Sequence, residues 1–143
     1  MVHIKDEGSH FDAPIDLVWK YNQSAEEHGR SHHHRNAAMK ALSENQVVVS
    51  WEQDIEGKPV RTAMRLTILP PTGMAVELLE GPMAGSKFFN YYTPKGDRTE
   101  VTVVGDFTSK QIPPEKLASV VMHFLEGSFD EDNEALRRLA GKG

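Results

Sequence analysis

Apolar and polar residues alternate along several short segments in the middle of the chain. In the segment 60–69 the residues that share one face are Val60, Thr62, Met64, Leu66 and Ile68, and those that share the other are Arg61, Ala63, Arg65 and Thr67. Alternation with a period of two is typical of a β-strand with one buried face. The pattern returns near the C-terminal third, where Val101, Val103, Gly105 and Phe107 lie on one face.

Short turn-like connections, most of them containing Gly or Pro, separate these segments and predict consecutive hairpins, which give antiparallel strands. The predicted strands are 2–12, 35–42, 46–54, 60–69, 74–80, 86–93 and 98–109. The segment 35–42 is the weakest of these predictions, because Ala, Met, Lys and Leu all favour helix.

Two short helices are predicted between the first and second strands. Asp12 is a suitable N-cap and Pro14 suits a first turn, so the first helix should run from Pro14 to about Tyr21. The second should begin at Ser24, which has a glutamate three residues later as in a capping box, and should be short because Gly29 interrupts it.

The C-terminal segment 112–143 predicts one long helix, with prolines and Glu115 at its start and Arg137, Arg138 and Gly141 near its end. Its apolar stripe is Leu117, Val120, Val121, Phe124, Leu125 and Phe129, continued by Leu136 and Leu139. One face of the sheet is the only large apolar surface on which this stripe can pack.

Composition narrows the class of protein. The 143 residues suit one domain, and 38% hydrophobic with 26% charged residues is an ordinary globular composition. The net charge of −5 disfavours broad binding to nucleic acid, and the absence of cysteine excludes disulfides and thiol chemistry. With no secretory leader or membrane-spanning run visible, we expect a cytoplasmic protein without stable membrane insertion.

Two segments carry a resemblance to a known family. "FDAPIDLVWKY" and "EGPMAGSKFFNYYTPKGDRTEVTVVGDF" resemble the START-like, or Bet v 1-like (SRPBCC), superfamily, in its polyketide cyclase/dehydrase and lipid-transport branch. The entry to the last strand, Gly96-Asp97-Arg98-Thr99, departs slightly from the Gly-x-x-Thr-x-Val pattern of that family. The resemblance implies one α+β domain over residues 1–143 with a helix-grip fold. In that fold a seven-stranded curved antiparallel sheet wraps around the long C-terminal helix, with two short helices between strands 1 and 2.

The resemblance also implies a cavity between sheet and helix that holds a small hydrophobic or aromatic molecule, lipid-like or polyketide-like, without a cofactor. The candidate lining residues are Trp51, Met64, Leu66, Phe89, Tyr91, Phe107, Val121, Phe124 and Leu125. In the adjacent pairs Phe88/Phe89 and Tyr91/Tyr92 only one member can face the cavity, and alternation alone does not decide which. Trp19 is expected to pack as core.

The functional interpretation that we favour is a ligand binder that is not an enzyme, and a homodimer stays open. The alternative is an enzyme of the cyclase or dehydratase type, with His34 and Tyr91 as acid–base groups. A third possibility is a co-chaperone-like domain that acts through the outside of the sheet. Of the polar strand residues, Arg65, Glu80 and Asp106 are expected to face solvent or to pair with a neighbouring strand.

Four of the seven histidines fall between His28 and His34. His28 and His32 share a face if the segment is helical, and His32 and His34 share one if it is extended. Two imidazoles, with a third ligand such as His10 or Glu27, would suit Zn²⁺, Ni²⁺ or Cu²⁺, so a metal-binding protein is the second alternative. The interpretation that we favour places the histidines at the cavity mouth, where they exchange protons with the polar end of a ligand.

Overall fold

The computed structural model describes residues 1–24, 34–55 and 57–141, with only the backbone of residue 55. The strands are β1 Val2–Phe11, β2 Arg35–Ala41, β3 Gln46–Ile55, β4 Lys58–Leu69, β5 Gly73–Glu80, β6 Lys87–Lys95 and β7 Arg98–Phe107. Helix α1 is Ile15–Asn22 and helix α2 is Pro114–Gly141. All seven predicted strands are confirmed, including 35–42, whose composition favours helix.

The strands form one curved antiparallel sheet in the order β1-β7-β6-β5-β4-β3-β2. Consecutive strands from β2 to β7 pair as hairpins, and β1 closes the sheet by pairing with β7. The 28 residues of α2 span about 42 Å and lie on one face of this sheet. This is the helix-grip arrangement that the resemblance implies.

The region between β1 and β2 departs from the prediction in one detail. Pro14, not Asp12, is the N-cap of α1, and it makes no side-chain capping bond. Asp12 instead accepts a hydrogen bond from Arg137 of α2 at 2.6 Å and lies 2.9 Å from a ring nitrogen of His10. Its carboxylate therefore ties β1 to α2. The second predicted short helix falls on residues 25–33, outside the described residues.

We call the face of the sheet that carries α2 the inner face and the opposite one the outer face. Where β1 and β7 meet α2, the inner face is densely packed. This packed end consists of Ile4, Phe11, Ala13, Val18, Trp19, Tyr21, Tyr92, Val101, Val103, Phe107, Leu117, Val121, Leu125, Ala135 and Leu136. The stripe predicted on α2 thus supplies four of these residues, and α1 adds three more.

Gly105 allows β6 and β7 to approach closely on the inner face. A Cβ atom at this position would lie 2.3 Å from the Cβ of Phe88, closer than real atoms come. Without that side chain, the ring of Phe88 stacks on Phe107 with centroids 5.2 Å apart. The mid-strand glycine therefore joins the packed end to the centre of the sheet. Neither described helix is long and apolar enough to cross a lipid bilayer.

Candidate functional site

The inner face continues from the packed end across β6, β5, β4 and β3 as an almost wholly apolar surface. Residues directly opposite in an antiparallel pair point to the same face, so the register identifies its members. This inner patch consists of Val47, Val49 and Trp51, then Met64, Leu66 and Ile68, then Met74, Val76 and Leu78, then Phe88, Asn90 and Tyr92. Thr62, opposite Trp51, also lies on this face, so Thr62 and Asn90 are its polar members.

The inner patch is less completely buried than the other end of the same face, although Val76 is only 4% exposed. Val101 and Val103 are 0% exposed, whereas Val47 and Leu78 are 9% exposed, and the middle of the patch at β4 is half-buried. Among the described residues, the core around α2 includes no residue of β3 and, from β4 and β5, only the partly buried Ile68. The apolar surface at β3–β5 therefore lies mostly outside the core that the described helices form, although Val76 and Trp51 are buried.

Polar groups are few around the patch. The indole of Trp51 donates to Oε1 of Gln53 at 2.7 Å, and the ring of His34 stacks on Trp51 with centroids 4.2 Å apart. The Oδ1 atom of Asn90 is buried and has no hydrogen-bond partner among the described residues. This oxygen is the polar feature of the patch that the fold itself does not use.

At the end nearest α1 the patch becomes aromatic. Tyr92 lies edge-on to Trp19, with centroids 5.4 Å apart, and to Phe11 at 5.7 Å. The Nδ2 atom of Asn22 donates to the Tyr92 hydroxyl at 3.0 Å. Burial raises the pKa of Tyr92 far above that of a free tyrosine, and the carboxylate of Asp132 raises it further. Tyr92 is therefore a neutral wall of the site and not a base.

The sequence prediction placed three side chains correctly on this surface. Trp51, Met64 and Leu66 all belong to the inner patch, as the alternation of segment 60–69 required. His34 also lies on this side, against Trp51. That these residues contact a ligand stays a prediction.

Phe89 and Tyr91 were placed wrongly, because they lie on the outer face. In the register, Phe88 and Tyr92 pair with inner residues of β7, so the residues between them point away. Phe89 and Tyr91 pack against each other with centroids 4.3 Å apart, and Tyr91 is 46% exposed. Phe89 borders a shallow depression of 350 Å³ on that face. Tyr91 therefore cannot share a site with His34.

The remaining candidates belong to the packed end or flank it, and Leu125 also borders an open groove between β1 and α2. Phe107 and Val121 are 1% and 0% exposed and belong to the packed end, as does Leu125. Phe124 is 47% exposed and lies beside the buried stripe of α2. The helical spacing identified the apolar stripe of α2. It did not show which of these side chains fill the interior and which lie beside the interior.

The polar strand residues pair across strands, as expected. Arg65 donates to Glu77 and Arg61 to Glu80, each at 3.1 Å, between β4 and β5. Asp106 lies 2.9 Å from a ring nitrogen of His3 between β7 and β1. The register places Arg65, Glu80 and Asp106 on the outer face, away from the inner patch.

The predicted metal site cannot be built from what the structure describes. His28 and His32 lie outside the described residues, and among those described no group of three or more histidine, aspartate or glutamate side chains is arranged to hold a metal ion. His10 lies beside Asp12 at the end of β1. The metal alternative therefore gains no support from the described part of the chain.

A second concave region lies outside the inner patch, between the edge strand β1 and one side of α2. It is an open groove of 530 Å³ that begins where β1 bulges between Asp6 and Ser9. Leu125 and Phe129 contribute apolar surface, and Asp130 contributes a carboxylate. Because it opens at the sheet edge, it is a different surface from the patch at β3–β5.

The sequence reasoning missed Asn90, Val76, Leu78 and the partnership of Trp19 with Tyr92. The signal for Asn90 was ambiguous, since the residues 88, 90 and 92 contain two aromatic residues and an asparagine, while 89 and 91 are both aromatic. Polarity alone therefore predicts that residues 89 and 91 face inward, which is wrong. The pairing of β6 with β7 decides otherwise.

Solved structures share this fold at low sequence identity. The Zhui aromatase/cyclase from Streptomyces sp. R1128 is 18% identical, with a TM-score of 0.69 over 99% of this chain and 94% of that one. A START superfamily protein from Mycobacterium smegmatis is 14% identical, with a TM-score of 0.76 and coverage of 96% and 97%. Ara h 8.0201 is 11% identical, with a TM-score of 0.74 and coverage of 96% and 98%.

No family model and no curated protein matches the sequence. The structural likeness establishes that the chain has the START-like, Bet v 1-like fold. A shared fold at such identities does not assign an activity.

Proposed function

We propose that this START-like domain, residues 1–143, binds a small hydrophobic or aromatic molecule against the inner patch. The ligand loses its contact with water on an apolar surface, and a few polar groups fix its orientation. The observation that carries the proposal is the contiguous apolar face of β3–β5, which neither described helix covers. Apolar walls with a few polar groups are the usual lining of small-molecule sites.

The composition of the patch suggests which molecules fit. Leu66, Met64 and Val76 provide an aliphatic floor, and Phe88 with Trp51 provides aromatic surface. The inner patch itself contains no lysine or arginine. An uncharged or weakly polar ligand therefore fits better than an anion.

The test is binding of the uncharged fluorescent probe N-phenyl-1-naphthylamine. Leu66→Gln puts an amide into the apolar floor and should weaken binding by about tenfold or more. Thr67→Gln is the matched control, because Thr67 is the next residue of β4 and faces outward. It should leave the affinity within about twofold. Native mass spectrometry of freshly purified protein, with metal analysis of the same sample, would show an organic molecule that co-purifies.

Failure of the probe to bind, together with an adduct-free mass spectrum, would contradict the proposal. Equal losses in Leu66→Gln and Thr67→Gln would also contradict it, since the probe would then not be on the inner face. A bound metal ion in place of an organic molecule would favour the metal-binding alternative.

The cyclase or dehydratase alternative is weakened, because its two acid–base groups, His34 and Tyr91, lie on opposite faces of the sheet. The homodimer left open by the sequence gains no support from the described residues. The cytoplasmic location and the expectation that no cofactor is needed stay predictions.

A further inference from the structure

Two buried polar atoms on the inner side of the sheet have no hydrogen bond among the described residues. They are Nε1 of Trp19 and Oδ1 of Asn90. A third, Nε of Arg65, belongs to the outer face, where the same guanidinium donates to Glu77. Burying a polar group without a partner costs free energy, so each such group in a folded protein requires an explanation.

The surroundings of Asn90 offer its side chain no partner. Asn90 lies in the centre of the sheet, opposite Met74 on β5 and Val103 on β7. Its neighbours on the same face of β6 are Phe88 and Tyr92. A leucine at this position would leave no oxygen unpaired.

The indole nitrogen of Trp19 also lacks a hydrogen-bond partner, although the polar groups around it are paired. The hydroxyl of Tyr92 accepts from Asn22, and that of Tyr21 donates to Asp132 at 2.7 Å. The other tryptophan, Trp51, has a partner in Gln53. The indole nitrogen of Trp19 can only donate, so it needs an acceptor that the described residues do not supply.

The two atoms lie on the same side of the molecule and have complementary chemistry. The ring of Trp19 contacts Tyr92 at 5.4 Å, and Asn90 is two residues from Tyr92 on the same face of β6. The indole N–H of Trp19 can donate a hydrogen bond, and the Oδ1 atom of Asn90 can accept one. The ring of Tyr92 lies beside both residues.

We propose that Trp19 and Asn90 are the polar contacts of the ligand site, and that the ligand is an apolar ring-bearing molecule with one hydrogen-bond acceptor and one hydrogen-bond donor. The acceptor, such as a carbonyl oxygen, receives the Trp19 N–H. The donor, such as a hydroxyl, gives its proton to the Asn90 oxygen. This assignment rests on the proposed function and adds to it the residues that orient the ligand.

The experiment uses two pairs of uncharged probes that differ in one group. 2-Naphthol and 2-methylnaphthalene differ in a hydroxyl donor, and 2-acetylnaphthalene and 2-isopropenylnaphthalene differ in a carbonyl acceptor. For each pair the ratio of dissociation constants is measured in the wild-type protein and in variants. Both probes of a pair have nearly the same shape and apolar surface. The ratio of their dissociation constants therefore isolates the effect of the one group that differs.

Asn90→Leu should lower the preference for 2-naphthol by about tenfold and leave the carbonyl pair unchanged. Trp19→Phe should lower the preference for 2-acetylnaphthalene by a similar factor and leave the hydroxyl pair unchanged. Tyr91→Phe is the control, because it removes a polar group from an aromatic residue on the outer face, and it should change neither ratio. Retained binding of 2-methylnaphthalene shows that a variant is folded.

Unchanged ratios in both variants, with all four probes still bound, would overturn this assignment and leave the proposed function standing. If the wild-type protein binds none of the four, the proposed function itself falls. Loss of folding in both Asn90→Leu and Asn90→Ala would also overturn the assignment, because an unpartnered amide contributes no hydrogen bond to the fold.

Discussion

The inner face of the sheet has two ends that differ in how completely they are used for folding. At the packed end, β1 and β7 meet α1 and α2, side chains reach 0% exposure, and buried polar groups such as Asn133 have partners on both sides. At the other end, the inner patch of β3–β5 is equally apolar but lacks a described helix against it. The Oδ1 atom of Asn90 on this face has no partner among the described residues.

The two ends of the inner face therefore differ in how much they contribute to folding. At the packed end the apolar area is covered and buried polar groups are paired, with Nε1 of Trp19 as the exception, and this stabilises the fold. At the inner patch we propose that the apolar area and the unpaired oxygen of Asn90 serve a ligand. The following predictions test that division, from the largest expected effect to the smallest.

The first prediction compares the same substitution at the two ends. Leu136→Ala, at a side chain that is 0% exposed, should lower the free energy of unfolding by about 3 kcal/mol, because it opens a cavity in close-packed surroundings. Leu66→Ala on the inner patch should cost about 1 kcal/mol or less, because less packing surrounds it. Urea unfolding monitored by circular dichroism measures both values. Similar losses at the two sites would show that the inner patch is filled core.

The second prediction compares two asparagines. Oδ1 of Asn133 accepts from the backbone N–H of Asp12 at 2.7 Å, and its Nδ2 donates to the carbonyl of His10 at 3.0 Å. Asn133→Leu leaves both backbone groups unpaired and should cost about 2 kcal/mol. Asn90→Leu should instead raise the stability of the ligand-free protein by about 1 kcal/mol, because it removes an unpaired buried oxygen.

Thermal and urea unfolding of these two variants give the comparison directly. A stability loss in Asn90→Leu as large as that in Asn133→Leu would mean that Asn90 serves the fold, and the contrast between the two ends would then be lost at this residue.

The third prediction concerns how stability depends on pH through Tyr92, which belongs to both the packed end and the inner patch. Burial raises the pKa of Tyr92, so the folded protein keeps this proton where a free tyrosine, with a pKa of about 10, loses it. The stabilisation is complete below about pH 10. Above it the free energy of unfolding should fall by about 1.4 kcal/mol per pH unit from this group.

Tyr92→Phe is the control, since it removes the ionisable group and keeps the ring between Trp19 and Phe11. Its stability should fall less steeply between pH 10 and pH 11 than that of the wild-type protein. Parallel curves would mean that the hydroxyl reaches solvent, and that the wall of the site at Tyr92 is open.

The sequence alone determined the strands, their antiparallel order and the long helix. Alternation is local, so segment 60–69 fixed which of its residues share a face. Turn residues fixed the hairpins, and the stripe on α2 fixed the side of the helix that packs. The segment 35–42 shows tertiary structure overriding propensity, because it forms a strand at the edge of the sheet although its residues favour helix.

Tertiary structure decided what each apolar face contacts. Whether Phe88 or Phe89 points inward depends on pairing with β7, which a run of adjacent aromatic residues does not encode locally. Whether Phe107 and Val121 fill a core or line an opening depends on where α2 lies along the sheet. Periodicity predicts the direction in which a side chain points, but only the tertiary structure shows which groups surround it. The unpaired oxygen of Asn90 is recognised only once those neighbours are known.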